Sequence, residues 1–266
     1  MVFKRLLGMG GIPLEIDTVV QSEPALPGGI LSGELVLRAD RRIEVRSIWL
    51  KLVTDAPVAH KGDGDGYSGD TFDYPTASGH FTLEKGEEKR LPIRHRLKWE
   101  TPLTEVKGQR LGVRLGIHTE VEAEGVKAQT DDDPVHITAL PLHEAVLDAF
   151  AAEGYALRTS RVHSGNIPRT EYHVYRAQGL LLVDERPGGN RPEELELHFH
   201  TNAVGCEIFL REAKLDERYW TKKPPARRFV AAHHEVGHVD FTEAVRRWTG
   251  EVGRVDGSHP TGDHDD

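Results

Sequence analysis

One cysteine in 266 residues leaves no intramolecular disulfide to hold the fold. Cys206 lies in an apolar strand pattern, which predicts a buried thiol rather than a nucleophile. No apolar run reaches the length of a membrane span. The opening Met1-Val2-Phe3-Lys4-Arg5-Leu6-Leu7 is too short for a signal peptide and no cleavage site follows, so a cytoplasmic location is expected. There is no excess of basic charge: the formal net charge is -9. An acidic chain without a concentrated basic stripe is a poor nucleic-acid binder. No G-x-S-x-G elbow, P-loop or dinucleotide fingerprint occurs, and no carboxylate pair stands out as catalytic. No cofactor is expected.

What the chain does have is strands. Leu14–Gln21, Ile30–Ala39 and a run from Ile43 to Thr54 are separated by Pro24, Pro27, Gly28 and Gly29, then by Asp40-Arg41-Arg42. Leu14, Ile16, Thr18 and Val20 share one face, as do Leu31, Leu35 and Leu37. Such alternation marks strands with one face on a core and one in water. The third run breaks phase between Val45 and Ile48, so a β-bulge or a crossing between sheets is predicted near Arg46-Ser47.

These residues also carry a resemblance. Ile16-Asp17-Thr18-Val19, Pro27-Gly28-Gly29, Ser32-Gly33-Glu34 and Ile48-x-Leu50-x-Leu52 resemble the opening of the bacterial sporulation-control proteins of the Spo-zero-M type. The likeness continues through Trp99-Glu100-Thr101-Pro102-Leu103-Thr104, Leu111-Gly112-Val113-Arg114 and Asp132-Asp133-Pro134-Val135. It implies an all-β, arrestin-like fold of two antiparallel β-sandwich domains, with one linking helix and one C-terminal helix. It also implies a regulator of sporulation or cell differentiation that acts through protein contacts and is not an enzyme.

The remaining segments are read from their own patterns. Residues 1–11 form an N-terminal segment, with Phe3, Leu6 and Leu7 on one face of a short amphipathic turn. The first sandwich spans 12–139. Within it, Ala56–Gly79 reads as a long loop. Its Asp63, Asp65 and Asp70 fail the EF-hand pattern, since Tyr67, Ser68 and Tyr74 occupy ligand and turn positions. Strands are expected at His80–Leu83, Arg90–Leu97, Leu111–Glu124 and Val135–Thr138. Pro92 places Arg90–Leu97 at a sheet edge, and Trp99 reads as an anchor packing a strand end. The second sandwich with its helices spans 140–252. A helix from Pro141 ends at Gly154. Strands follow at Tyr155–Ser160, Glu171–Arg176, Gly179–Asp184, Glu194–His200, Gly205–Glu212 and Arg227–His233. Asp240-Phe241-Thr242-Glu243 starts a last helix with Phe241, Ala244, Val245 and Trp248 on one face. The tail 253–266 has no apolar pattern and is expected to be disordered.

Three constellations bear on function. His234-Glu235-Val236-Gly237-His238 matches the zinc-protease pattern, which works only on a helix, where the two histidines meet one metal. Here a strand precedes the motif and the helix start falls after it, so a strand-to-helix connection without structural zinc is expected; a metal-dependent hydrolase using His234, Glu235 and His238 is the alternative. His198 and His200 share a strand face and could chelate a metal, but the simpler reading is a polar outer face continuing Glu194 and Glu196. Third, Arg90, Arg94 and Arg96 decorate one face of the predicted edge strand. They either select an acidic protein partner or pair with Glu84, Glu87 and Glu88 across the hairpin. A membrane-peripheral scaffold using Phe3, Leu6 and Leu7 is a further alternative, and a homodimer is compatible with the sequence.

Overall fold

The structure, a computed structural model, describes residues 13–54, 70–75, 79–167, 173–186, 191–213 and 225–252. The amphipathic turn at Phe3, Leu6 and Leu7, the EF-hand-like stretch around Asp63 and the tail lie outside them. The described residues form two compact units. One holds those within Met1–Ala56, Gly62–Thr104 and Val113–Thr138; the other holds those within Glu105–Gly112 and Ala139–Asp266.

The first unit is built from two antiparallel sheets. β1 (Leu14–Val20), β2 (Ile30–Ala39) and β6 (Glu88–Arg96) form one, in the order β1-β2-β6. β3 (Ile43–Thr54), β4 (Asp70–Asp73), β5 (Gly79–Leu83), β9 (Leu115–Ala123) and β10 (Gln129–Val135) form the other, with β4 and β5 both on β3. Their apolar faces meet. Leu35 and Leu37 of β2 and Leu50 and Leu52 of β3 are buried, and Thr18 Oγ1 bonds Thr119 Oγ1 between the sheets at 2.7 Å. The predicted break in β3 is a register shift between Val45 and Ser47 against β9. It lets Ile43 and Val45, then Ile48, Leu50 and Leu52, all reach the core. The Trp99 ring lies against Gly28, where a Cβ would come within 2.5 Å of it, so Trp99 does anchor a strand end.

Three expectations in this unit need correction. Ala56–Gly79 is not all loop, because β4 lies within it and pairs with Leu52–Thr54. The strand predicted from Leu111 starts at Leu115. Leu111 and Val113 are buried, but Gly112 at φ 80° interrupts the strand backbone, and Leu111 belongs to the other unit. The last strand is Gln129–Val135 rather than Val135–Thr138; of the latter, Ile137 makes a single bridge with Ala25.

In the second unit, β11 (Tyr155–Asn166), β12 (His173–Asp184), β13 (Glu194–Thr201), β14 (Gly205–Glu212) and β15 (Arg227–Ala232) make an antiparallel meander. The two strands expected in 171–184 are thus one, since β12 runs unbroken, and Tyr155–Ser160 extends to Asn166. A two-residue-stranded ribbon, β7 (Glu105–Val106) with β8 (Gln109–Arg110), also belongs here. α1 (Pro141–Ala152) begins with Pro at its first turn, where a missing N–H costs nothing. Gly154 at φ 87° follows its C-cap. α1 buries Leu142, Val146 and Phe150. α2 (Phe241–Val252) is capped by Asp240, whose Oδ1 accepts from Thr242 N at 2.8 Å. It buries Phe241, Val245 and Trp248, with the Trp248 ring stacked on Phe229 of β15 at 4.9 Å. Cys206 is 2% exposed, and burial pushes its thiol up to about 12.

Candidate protein-interaction surface

Among the described residues β6 is the last strand of its sheet, beside β2. Its alternation is strict: Ile93 is buried, while Glu88, Arg90, Pro92, Arg94 and Arg96 are exposed. Pro92, opposite Glu34, brings no backbone donor. The three arginines differ in what they hold. Arg90 pairs with Glu34 at 2.7 Å and Glu88 at 2.6 Å, and Arg38 also reaches Glu88 at 2.7 Å. Arg38 and then Arg90 hold the Glu88 carboxyl below the usual carboxylate range, and Glu34 and then Glu88 raise the Arg90 guanidinium. Arg96 donates to Gly28 O at 2.9 Å. Arg94, opposite Ser32, makes no hydrogen bond or ion pair among the described residues. The pairing expected with Glu84, Glu87 and Glu88 therefore occurs only between Arg90 and Glu88.

The inner face of the same strand is clasped to the other sheet of its unit. His95 Nε2 lies 3.0 Å from Asp73 Oδ2 and Lys98 Nζ 3.1 Å from Asp73 Oδ1. Burial raises the Asp73 carboxyl, but the hydrogen bonds from His95 and Lys98 outweigh it and hold it low. This clasp was not legible in the sequence, because Asp73 sits in a segment read as loop. The other lateral edge of the unit is acidic. Asp131 Oδ2 accepts from Thr18 N at 2.6 Å. Burial, then Asp131, Asp17 and Asp132, push the Asp133 carboxyl up to about 7.

His234, Glu235 and His238 do not share a helix face. His233–Glu235 is one turn of 3-10 helix after β15, Gly237 follows at φ 79°, and α2 starts only at Phe241. Glu235 Oε2 accepts from Ala232 N at 2.6 Å, so this carboxylate caps the turn. The motif is a strand-to-helix connection, and the zinc-protease geometry is missing from it. Among the described residues no group of three or more His, Cys, Asp or Glu side chains is placed to hold a metal ion.

His198 corrects the reading of a polar outer face. It does share a strand face with Glu196, but both are inside, at 1% and 0% exposure. Glu196 faces Arg211 in register on β14 and accepts a hydrogen bond from its Nη2, and Arg211 is 1% exposed. His198 Nε2 lies 3.5 Å from Glu196 Oε2. A charge pair that neutralises itself can be buried where a lone charge cannot, and alternation alone does not distinguish that from solvent. His143 is likewise a polar residue that the sequence does not mark as buried. On α1 it is buried, 2.8 Å from Thr201 Oγ1 and stacked on Phe199 at 4.2 Å. Burial, then the neighbouring His233, lowers its imidazole to about 3.

No helix among the described residues is long and apolar enough to cross a membrane. The chain is 27% identical over 212 residues to the sporulation-control protein spo0M of Bacillus subtilis (strain 168), covering 77% of this chain and 78% of that one. The crystal structure of Spo0M, sporulation control protein, from Bacillus subtilis superposes with a TM-score of 0.69 at 21% identity, over 90% of this chain and 99% of that one. The likeness supports the all-β, arrestin-like fold. Residues 3–215 match the family model of the SpoOM proteins, and the chain belongs to that family.

Proposed function

We propose that the protein is a non-enzymatic, cytoplasmic regulator of sporulation or cell differentiation that acts by binding other proteins, and that β6 receives an acidic partner segment. The observation that carries this is the edge position of β6 combined with the state of its arginines. Arg90 is already neutralised by Glu34 and Glu88, whereas Arg94 and Arg96 face outward with charge to spare. An edge strand can accept an added strand through its backbone, and side chains on alternate positions then select its sequence. Two arginines spaced by one residue suit carboxylates at the same spacing on an extended partner. On a chain of net charge -9, such a strip attracts acidic segments that the rest of the surface repels. The sporulation-control name of the similar protein supports the regulatory reading.

The test compares wild type with Arg94→Glu and with Arg94→Glu plus Arg96→Glu in pull-downs from the native cytoplasm at physiological salt. Partners retained by wild type are expected to be lost stepwise, with the circular-dichroism spectrum unchanged. Identical partner sets would place the interface elsewhere.

A further inference from the structure

The ribbon of β7 and β8 departs from ordinary turn chemistry at one residue. Its two-residue turn is Lys107-Gly108, at φ 49° and 79°. Positive φ at both positions is the type I′ requirement, which Asn-Gly or Asp-Gly meets at least cost. Lysine is strained there. What its side chain gains is a grip on α1: Nζ lies 2.5 and 2.6 Å from the two carboxylate oxygens of Asp148. Glu144, one helical turn earlier, adds attraction, and together they hold the Lys107 ammonium above its ordinary range. A residue that breaks the local preference while making one specific contact marks a position kept for that contact.

Beyond this grip the ribbon is held by few bonds, most of them at its far end: Gln109 Nε2 donates to Leu157 O at 2.8 Å, and Leu111 O accepts from Ser160 N and Ser160 Oγ at 3.1 Å and from Thr159 Oγ1 at 3.4 Å. Val106 and Leu111 are its buried side chains, while Lys107, Gly108, Gln109 and Arg110 are exposed. Both ends are nevertheless tethered. Thr104, just before it, bonds Ile137 through its own N–H at 2.9 Å and again through Oγ1, which accepts from Ile137 N at 2.9 Å. Just after it, Val113 is buried ahead of β9.

We propose that Glu105–Gly112 is a releasable strap, latched by Lys107 on Asp148, which lifts from the second unit while both units stay folded. Opening relieves the turn at Lys107 and bares the seats of Val106 and Leu111, together with Asp148 and Glu144 on α1. A short segment fixed at both ends, and held between them by an exposed ion pair, a few hydrogen bonds and two buried side chains, opens and recloses locally at less cost than global unfolding.

Hydrogen exchange read by mass spectrometry on the full chain tests this. In wild type the amides of 105–112 exchange faster than those of β9 and α1. Asp148→Asn, which removes the latch without touching the turn, raises strap exchange by about two- to five-fold, the range an exposed ion pair supports, and leaves β9 and α1 at their wild-type rates. In a chain already carrying Lys107→Gly, adding Asp148→Asn changes nothing further. Strap amides that exchange only with global unfolding, or that ignore Asp148→Asn, would overturn the proposal.

Discussion

Trp248→Ala probes how the last helix is held. Trp248 is 3% exposed and its ring stacks on Phe229 at 4.9 Å and 18°. A buried tryptophan removes on the order of 200 Å² from water, worth about 5 kcal/mol at about 25 cal/mol per Å². Truncation also leaves a cavity, which partial collapse of the helix onto the sheet reduces. The expected loss is therefore about 3–5 kcal/mol. Val245, fully buried one turn earlier, still holds α2 in place, so the chain is expected to fold and to unfold earlier. Urea denaturation followed by far-ultraviolet circular dichroism measures the loss. Trp248→Phe keeps the ring contact and should restore roughly half of it. A Trp248→Ala loss below about 1 kcal/mol would mean that the helix face contributes no buried anchor.

Further outcomes are expected at Asp133, at His143 and in the HEVGH stretch. The Asp133 carboxyl is raised from 3.8 to about 7 in the folded state, so the folded chain binds the extra proton and the first unit loses stability as pH rises across that window; Asp133→Asn should raise the thermal midpoint at pH 8 and leave it unchanged below pH 3.8. His143 has the opposite sign. Its imidazole falls from 6.5 to about 3, so stability is lost as pH drops through that window, and His143→Gln should flatten this dependence in a pH series of melting curves. In the HEVGH stretch, tag-free protein analysed by plasma emission should carry no stoichiometric zinc with or without His234→Ala, whereas Glu235→Ala should cost about 0.5–2 kcal/mol in urea melts by removing the cap on Ala232.

The sequence was most legible where one face of an element meets a core and the other meets water. β2, β3 and α2 follow from their periods, and even the bulge at Val45–Ser47 shows as a phase break. Legibility failed where that premise failed. Gln129–Val135 carries three aspartates and a proline, so propensity argues against a strand that tertiary pairing with β9 nonetheless makes. Leu111 and Val113 keep strand phase although Leu111 lies in one unit and Val113 in the other. Glu196, His198 and Arg211 look like a wet face and are buried, because polarity in a sequence does not say whether a partner neutralises it. In the candidate interaction surface, the edge position and the outward arginines were readable from Pro92 and alternation. Arg90's commitment to Glu34, and thus the distinction between it and Arg94, needed the cross-strand register.

β6 is the strand proposed to receive a partner segment. Hydrogen exchange on the isolated complex with a partner recovered by the wild-type pull-down addresses this directly. Amides within Glu88–Arg96 are expected to gain protection on binding, the gain to shrink as salt rises, and Arg94→Glu to abolish it. Protection confined to the acidic edge at Asp131–Asp133, or to α2, with β6 unchanged, would contradict docking on β6.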